Sequence, residues 1–131
     1  MKNIQGTGIR KRAVARATLK EGKGIIRINS TLIDNYTPAL YRDKIKEPLQ
    51  IAEDTASKVN INVNVFGGGI SSQADAARIA ISKALEQYNK KLHKDFLEYD
   101  RTLLVADIRR KEPSKPNRHG QARSKRQKSY R

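Results

Sequence analysis

The stretch Val59-Asn60-Ile61-Asn62-Val63-Asn64-Val65, followed by Gly67-Gly68-Gly69 and a run from Ser72 to Tyr88, decides the fold. In its first part apolar and asparagine side chains alternate, the two-residue period of a strand buried on one face only. Three glycines then break the strand. Ser72 with Asp75 three residues later resembles a capping box, so a helix is predicted from there to about Tyr88. Ala77, Ala80, Ile81, Ala84, Leu85 and Tyr88 fall on one of its faces. A strand and a helix with one apolar face each must bury them against one another, which predicts an α+β domain with helices against a sheet.

Working outward, Pro48 suits a first helical turn, where its missing N–H would have had no partner. Leu49, Ala52, Ala56 and Val59 follow at helical spacing, which predicts a helix over about 48–57. Asp34–Glu47 is ambiguous, with Pro38 a candidate helix start. Residues 13–19 alternate Ala13, Ala15, Ala17 and Leu19 against Val14, Arg16 and Thr18. With Ile25-Ile26-Arg27-Ile28 beyond a glycine-bearing loop, they predict a hairpin. Asn29-Ser30-Thr31 has turn chemistry. Towards the C-terminus, Leu92, Phe96 and Leu97 mark a shorter helix, and Leu103-Leu104-Val105-Ala106 is the last apolar segment.

From Asp107 the character changes. Ile108 is the only large aliphatic residue beyond it, and Pro113 and Pro116 interrupt any helix. Such a segment buries too little apolar surface to offset its ordering entropy. The expectation is a folded domain over 1–107 and an extended basic tail over 108–131, disordered when free.

The 131 residues carry a net charge of +15. Residues 101–131 hold 11 of the 28 Lys and Arg but only 2 of the 13 Asp and Glu. Charge of this size calls for a polyanionic partner. A membrane is the weakest candidate, because no stretch approaches the roughly 20 apolar residues of a spanning helix and the basic segment lacks an apolar face. Without cysteine there is no disulfide or thiolate chemistry. No signal-peptide pattern opens the chain, so cytoplasmic residence is expected.

Arg10-Lys11-Arg12 with Arg16 put four cations near one end of a strand, a pattern suited to gripping phosphates. Gly6-Thr7-Gly8 before them reads as a flexible entry to that strand. Gly67-Gly68-Gly69 opens a helix, where backbone N–H groups attract anions, and it reads equally well as a turn requiring positive φ. In the tail, Arg109, Arg110, Lys111, Arg123, Lys125, Arg126, Lys128 and Arg131 offer bidentate phosphate binding and stacking, and Tyr130 adds an aromatic face. Composition alone fits a polybasic localisation tail as well as a binder of folded RNA, and a DNA-compacting protein also fits the charge. Catalytic constellations are missing. His93 and His119 lack spaced partners, the serines form no nucleophile elbow, and Asp100-Arg101 and Asp107-Arg109 read as local ion pairs. No cofactor is expected.

Specific residues narrow these alternatives. Gly6-Thr7-Gly8-Ile9-Arg10-Lys11-Arg12-Ala13-Val14-Ala15-Arg16-Ala17, Gly67-Gly68-Gly69 leading into Gln73-Ala74-Asp75-Ala76-Ala77-Arg78, and the ending Arg126-Gln127-Lys128-Ser129-Tyr130-Arg131 resemble the universal small-ribosomal-subunit protein nine family. Leu97 to Asp107 looks like its archaeal and eukaryotic branch. Two departures are Ile108, where the family usually has proline, and 117–121, where it is richer in glycine. The resemblance implies a ribosomal protein S-five domain-two-like fold, a four-stranded sheet with helices on one face and a left-handed βαβ crossover. It also implies a structural, non-enzymatic role in the head of the small subunit. The partners would be small-subunit rRNA, neighbouring head proteins and peptidyl-site tRNA. On that basis rRNA would meet Arg10, Lys11, Arg12, Arg16, the three glycines and the tail cations, and tRNA would meet Tyr130 and Arg131.

Overall fold

A computed structural model describes residues 3–36 and 39–104. In chain order the elements are β1 (Ile4–Arg10), β2 (Ala13–Glu21), β3 (Ile26–Ile28), β4 (Thr31–Leu32), α1 (Ala39–Ile51), α2 (Glu53–Ala56), β5 (Val59–Phe66), α3 (Ile70–Tyr88) and α4 (Leu92–Tyr99), with 3-10 turns at Ile33–Asn35 and Arg101–Leu103. The α+β class is the one expected. The sheet has five strands rather than four, in the order β1-β2-β5-β3-β4, because two-residue β4 pairs with β3 through the Asn29-Ser30 turn. Both turn residues have positive φ, as a two-residue hairpin of type I′ requires.

The expected hairpin between 13–19 and 25–28 does not form. β5 lies between β2 and β3, antiparallel to the first and parallel to the second. The glycine-bearing loop instead crosses the end of β5, where Asn60 Oδ1 accepts the backbone N–H groups of Lys23 and Ile25 at 3.0 Å each. The hairpin partner of β2 is β1, so Gly6-Thr7-Gly8 is strand and not a flexible entry. The inward positions of β1 include Gly6 and Gly8, which give alternation no apolar signal. Glycine is required there because α3 lies almost on the strand. A Cβ on Gly6 would stand 2.4 Å from the Ala80 carbonyl oxygen, and one on Gly8 2.1 Å from that of Ala76.

β2 and β5 alternate as predicted. Ala13, Ala15, Ala17 and Leu19 of β2, and Val59, Ile61, Val63 and Val65 of β5, are buried. Against them α3 sets Ala77, Ala80, Ile81, Ala84 and Leu85, while Tyr88 is only partly buried. Ile45, Phe96 and Leu103 close the core at 0% exposure, each contributing about 1.5–3 kcal/mol by leaving water.

The helix boundaries correct two expectations. Pro48 is buried inside α1, ten residues into a helix that begins at Ala39. Burial of Ile45 and Pro48 on one face offsets the hydrogen bond that proline removes. The helix breaks after Ile51, α2 follows, and Val59 opens β5 instead of extending the helix. Ser72 does not cap α3, which starts at Ile70 with Gly69 as its N-cap and no side-chain cap. Pro38 lies outside the described residues. Arg78 ties the layers together, pairing with Glu47 of α1 and with Asp100 beyond α4 at 3.3 Å.

Candidate nucleic-acid interface

The two glycine-and-cation motifs, far apart in sequence, meet at one end of the sheet. β1 and β2 are joined by Lys11-Arg12, with Arg10 opposite Ala13. Lys11 takes φ 53°, a conformation suited to the right-handed twist of a tight hairpin and unusual for a residue with a side chain. β5 runs alongside β2 to the same end, placing Phe66 opposite Val14. The chain then turns through Gly67 (φ 77°) and Gly68 (φ 64°), so the positive-φ reading of this loop holds. A Cβ on Gly67 would lie 2.5 Å from the Arg12 carbonyl oxygen. The loop and the basic turn therefore pack backbone against backbone.

Around this junction Lys11 and Arg12 are exposed. Arg10 is half-buried, its Nε 3.7 Å from Asp75 Oδ2 on α3. Asp75 thus anchors a cation of the turn and does not belong to a capping box. Gly69, with nothing within 4 Å of its would-be Cβ, opens the 19-residue α3. Gln73 braces the loop, its N–H donating to the Gly69 carbonyl at 2.9 Å and its Nε2 to that of Gly67 at 3.1 Å. The first-turn N–H groups and the positive end of the helix dipole face the same side as the glycines.

Arg16 lies elsewhere. It occupies an outward position of β2, exposed and flanked by Thr7 and Asn64. Lys20, Arg27, Asn62, Asn64 and Phe66 share that outer face and are likewise exposed, and sequence reasoning did not single them out. Their signal was the alternation itself, since every one is the polar or outward partner of a buried neighbour. Arg109, Arg110, Lys111, Arg123, Lys125, Arg126, Lys128, Tyr130 and Arg131 lie outside the described residues, as does the Asp107-Arg109 pair.

Nothing in the described part is arranged for catalysis. His93 Nδ1 stands 2.6 Å from Glu86 Oε1 in an exposed pair. Among the described residues no group of three His, Cys, Asp or Glu could hold a metal, and no helix is long and apolar enough to cross a membrane. The Asp34 carboxyl is held below its ordinary range by the hydrogen bond and charge of Lys46, and burial pushes the Tyr36 hydroxyl up. Both groups belong to the β4 edge of the sheet, opposite β1.

Fold and site together define a small basic docking domain. Residues 8–131 match the family Ribosomal protein S9/S16. The chain is 50% identical over 127 residues to small ribosomal subunit protein uS9 of Thermoplasma volcanium, covering 95% of this chain and 96% of that one. It is 51% identical over 127 residues to the protein of the same name from Thermoplasma acidophilum, covering 95% and 98%. A third, from Methanococcus maripaludis, is 46% identical over 134 residues and the full length of both. The chain belongs to the ribosomal protein S9/S16 family, whose members are structural proteins and not enzymes. The archaeal relatives agree with the branch read from Leu97 to Asp107.

Proposed function

We propose that this protein is the uS9 constituent of the small ribosomal subunit in the cytoplasm, binding rRNA of the subunit head. The observation that carries the reading is the meeting of Lys11-Arg12 with the glycine loop at the start of α3, in a chain of this family. Exposed cations supply charge to a phosphate there, and backbone N–H groups supply direction. Arg10, held towards Asp75, shapes the turn. Arg16 contacts rRNA from the neighbouring face. Residues 108–131 form a separate basic arm that orders on RNA, with Arg109, Arg110, Lys111, Arg123, Lys125, Arg126 and Lys128 on rRNA phosphates. Tyr130 and Arg131 meet the peptidyl-site tRNA, and other head proteins are neighbours. The parallel β3–β5 pair, joined through α1 and α2, supplies the βαβ unit that the S-five domain-two-like assignment requires.

The test is sedimentation of the tagged full chain in cell lysate. It should travel with small subunits and stay there through moderate salt washes. Recovery at the top of the gradient, or with large subunits alone, would contradict the proposal. Deleting only Tyr130 and Arg131 should leave subunits assembled and weaken peptidyl-site tRNA binding, whereas deleting 108–131 should impair both.

A further inference from the structure

One face of the sheet is covered by α3, and the other is covered by no element among the described residues. Strand register arranges that open face in rows: Thr7, Arg16 and Asn64 side by side, and Gln5, Thr18, Asn62 and Arg27 in the next. Lys20 continues the face at one end, and Phe66 stands at the other beside Val14. None of these outward positions is acidic. Among the described residues Arg16, Lys20 and Arg27 form no ion pair, in contrast to Lys46, Arg78 and Lys94 on the helical side. Asn62 and Asn64 direct amides outward without a protein partner among the described residues, whereas Asn60 is committed to the β2–β3 loop. Arg27, Ser30, Asn62 and Asn64 line a shallow depression. Phe66 is 54% exposed at the end of this surface, in a row with Val14 and Ile9, and Leu32 stands beside Arg27 on the edge strand.

A face held together by protein contacts would bury apolar side chains and shed charge at its centre. This one keeps charge and amides in its middle rows and confines its apolar side chains to the margins, Ile9, Val14 and Phe66 at one end and Leu32 on the edge strand. Its uncompensated cations lie on β2 and β3, on either side of β5 and so about 10 Å apart across the sheet, its amides can donate or accept, and its one large aromatic ring stands at the rim. That combination of a charged track and a stacking platform is what single-stranded nucleic acid requires.

We propose that the open face of the sheet is a second RNA-docking surface. Arg16, Lys20 and Arg27 take backbone phosphates, Asn62 and Asn64 bond to sugar or base edges, and Phe66 stacks under an unpaired base of small-subunit rRNA. The proposal rests on the rRNA-binding reading above and extends it to residues beyond the basic turn and the tail.

The experiment measures binding of the full chain to a transcript of the 3′ domain of small-subunit rRNA over a range of salt concentrations. Wild type, K20Q/R27Q, F66L, F66W and, as control, K11Q/R12Q are compared after their thermal midpoints have been matched. K20Q/R27Q should flatten the slope of log affinity against log salt by about 1.4–1.8, the loss expected for two phosphate contacts. F66L should weaken binding about fivefold or more, the lower end of one lost base–aromatic stack, and F66W should restore it. If K11Q/R12Q weakens binding while K20Q/R27Q and F66L match wild type, RNA docks at the turn alone and the proposal is overturned. It is overturned equally if both variants bind transcript normally but fail to enter subunits, because the face would then meet a protein. Failure of wild type itself to bind would instead remove the underlying reading.

Discussion

The two faces of one sheet obey different rules. On the inner face Gly6, Gly8, Ala13, Ala15 and Ala17 meet a helix lined with Ala76, Ala77, Ala80 and Ala84, and all are buried. Small residues on both sides let helix and sheet backbones approach closely, so every added methyl must displace a neighbour. Asparagine, threonine, arginine and lysine dominate the outer face, where side chains extend into solvent. Parity along the strand is all that separates the two regimes. Stability is concentrated on one face, which leaves the composition of the other free to serve a partner.

The comparison breaks most visibly at Gly8. Its would-be Cβ meets helix backbone and no flexible side chain can yield. Gly8→Val should therefore destabilise the domain by about 3 kcal/mol, the upper end of typical overpacking costs, read from the urea midpoint. The adjacent outward substitution Thr7→Val should stay within about 0.5 kcal/mol of wild type. Similar effects at the two positions would mean that α3 does not hold β1 as described.

Arg78 tests the helical layer. Its side chain is 13% exposed, against 31% for Glu47 and 36% for Asp100. Arg78→Ala should cost about 1–2 kcal/mol, less than breaking a fully buried pair, because the two carboxylates remain partly hydrated. A loss below about 0.5 kcal/mol would place the network with ordinary surface pairs. A smaller and opposite effect is expected at Lys11. Lys11→Gly relieves a positive φ, so the thermal midpoint should rise by the equivalent of about 0.5–1 kcal/mol while rRNA affinity falls. A fall in both would show that Lys11 supports the fold itself.

The smallest effect belongs to Asp34, an exposed residue whose carboxyl accepts from Lys46 Nζ at 2.9 Å. Its pKa in the folded state is depressed, so its contribution is present above the ordinary carboxylate range and lost as pH falls through the depressed value. Lys46→Gln should return the Asp34 titration to the ordinary range, as followed by NMR. An unshifted titration would mean that the pair does not persist in solution.

How much of this was legible depends on which signal each segment carries. β5 and α3 announce themselves, because periods of two and 3.6 are both strong and the glycines between them admit one kind of turn. β1 was hidden because close packing put glycine where alternation needs an apolar residue. Pairing order was hidden as well. Ile25–Ile28 looks like a hairpin partner of β2, and only the insertion of β5 excludes it. Pro48 misled because local preference places proline in a first turn, while burial beside Ile45 holds it in mid-helix. For the site, the cations of the turn were visible as neighbours in sequence. Their meeting with Gly67 and Gly68 and the row of Asn62 with Arg27 exist only through strand register, and the partnership of Arg10 with Asp75 only through the packing of α3 on the sheet.

The division of labour between the faces can be measured by hydroxyl-radical footprinting of the full protein, free and bound to the rRNA 3′-domain transcript, with oxidation read residue by residue. Phe66 and Leu32 lie on the strands, and Leu40, Leu97 and Tyr99 on the helical side, all exposed in the protein alone. Binding should protect Phe66 and leave Leu40, Leu97 and Tyr99 oxidised at their free rates. Protection of the helical residues with Phe66 still open would contradict the account, because RNA would then lie on the face assigned here to the fold.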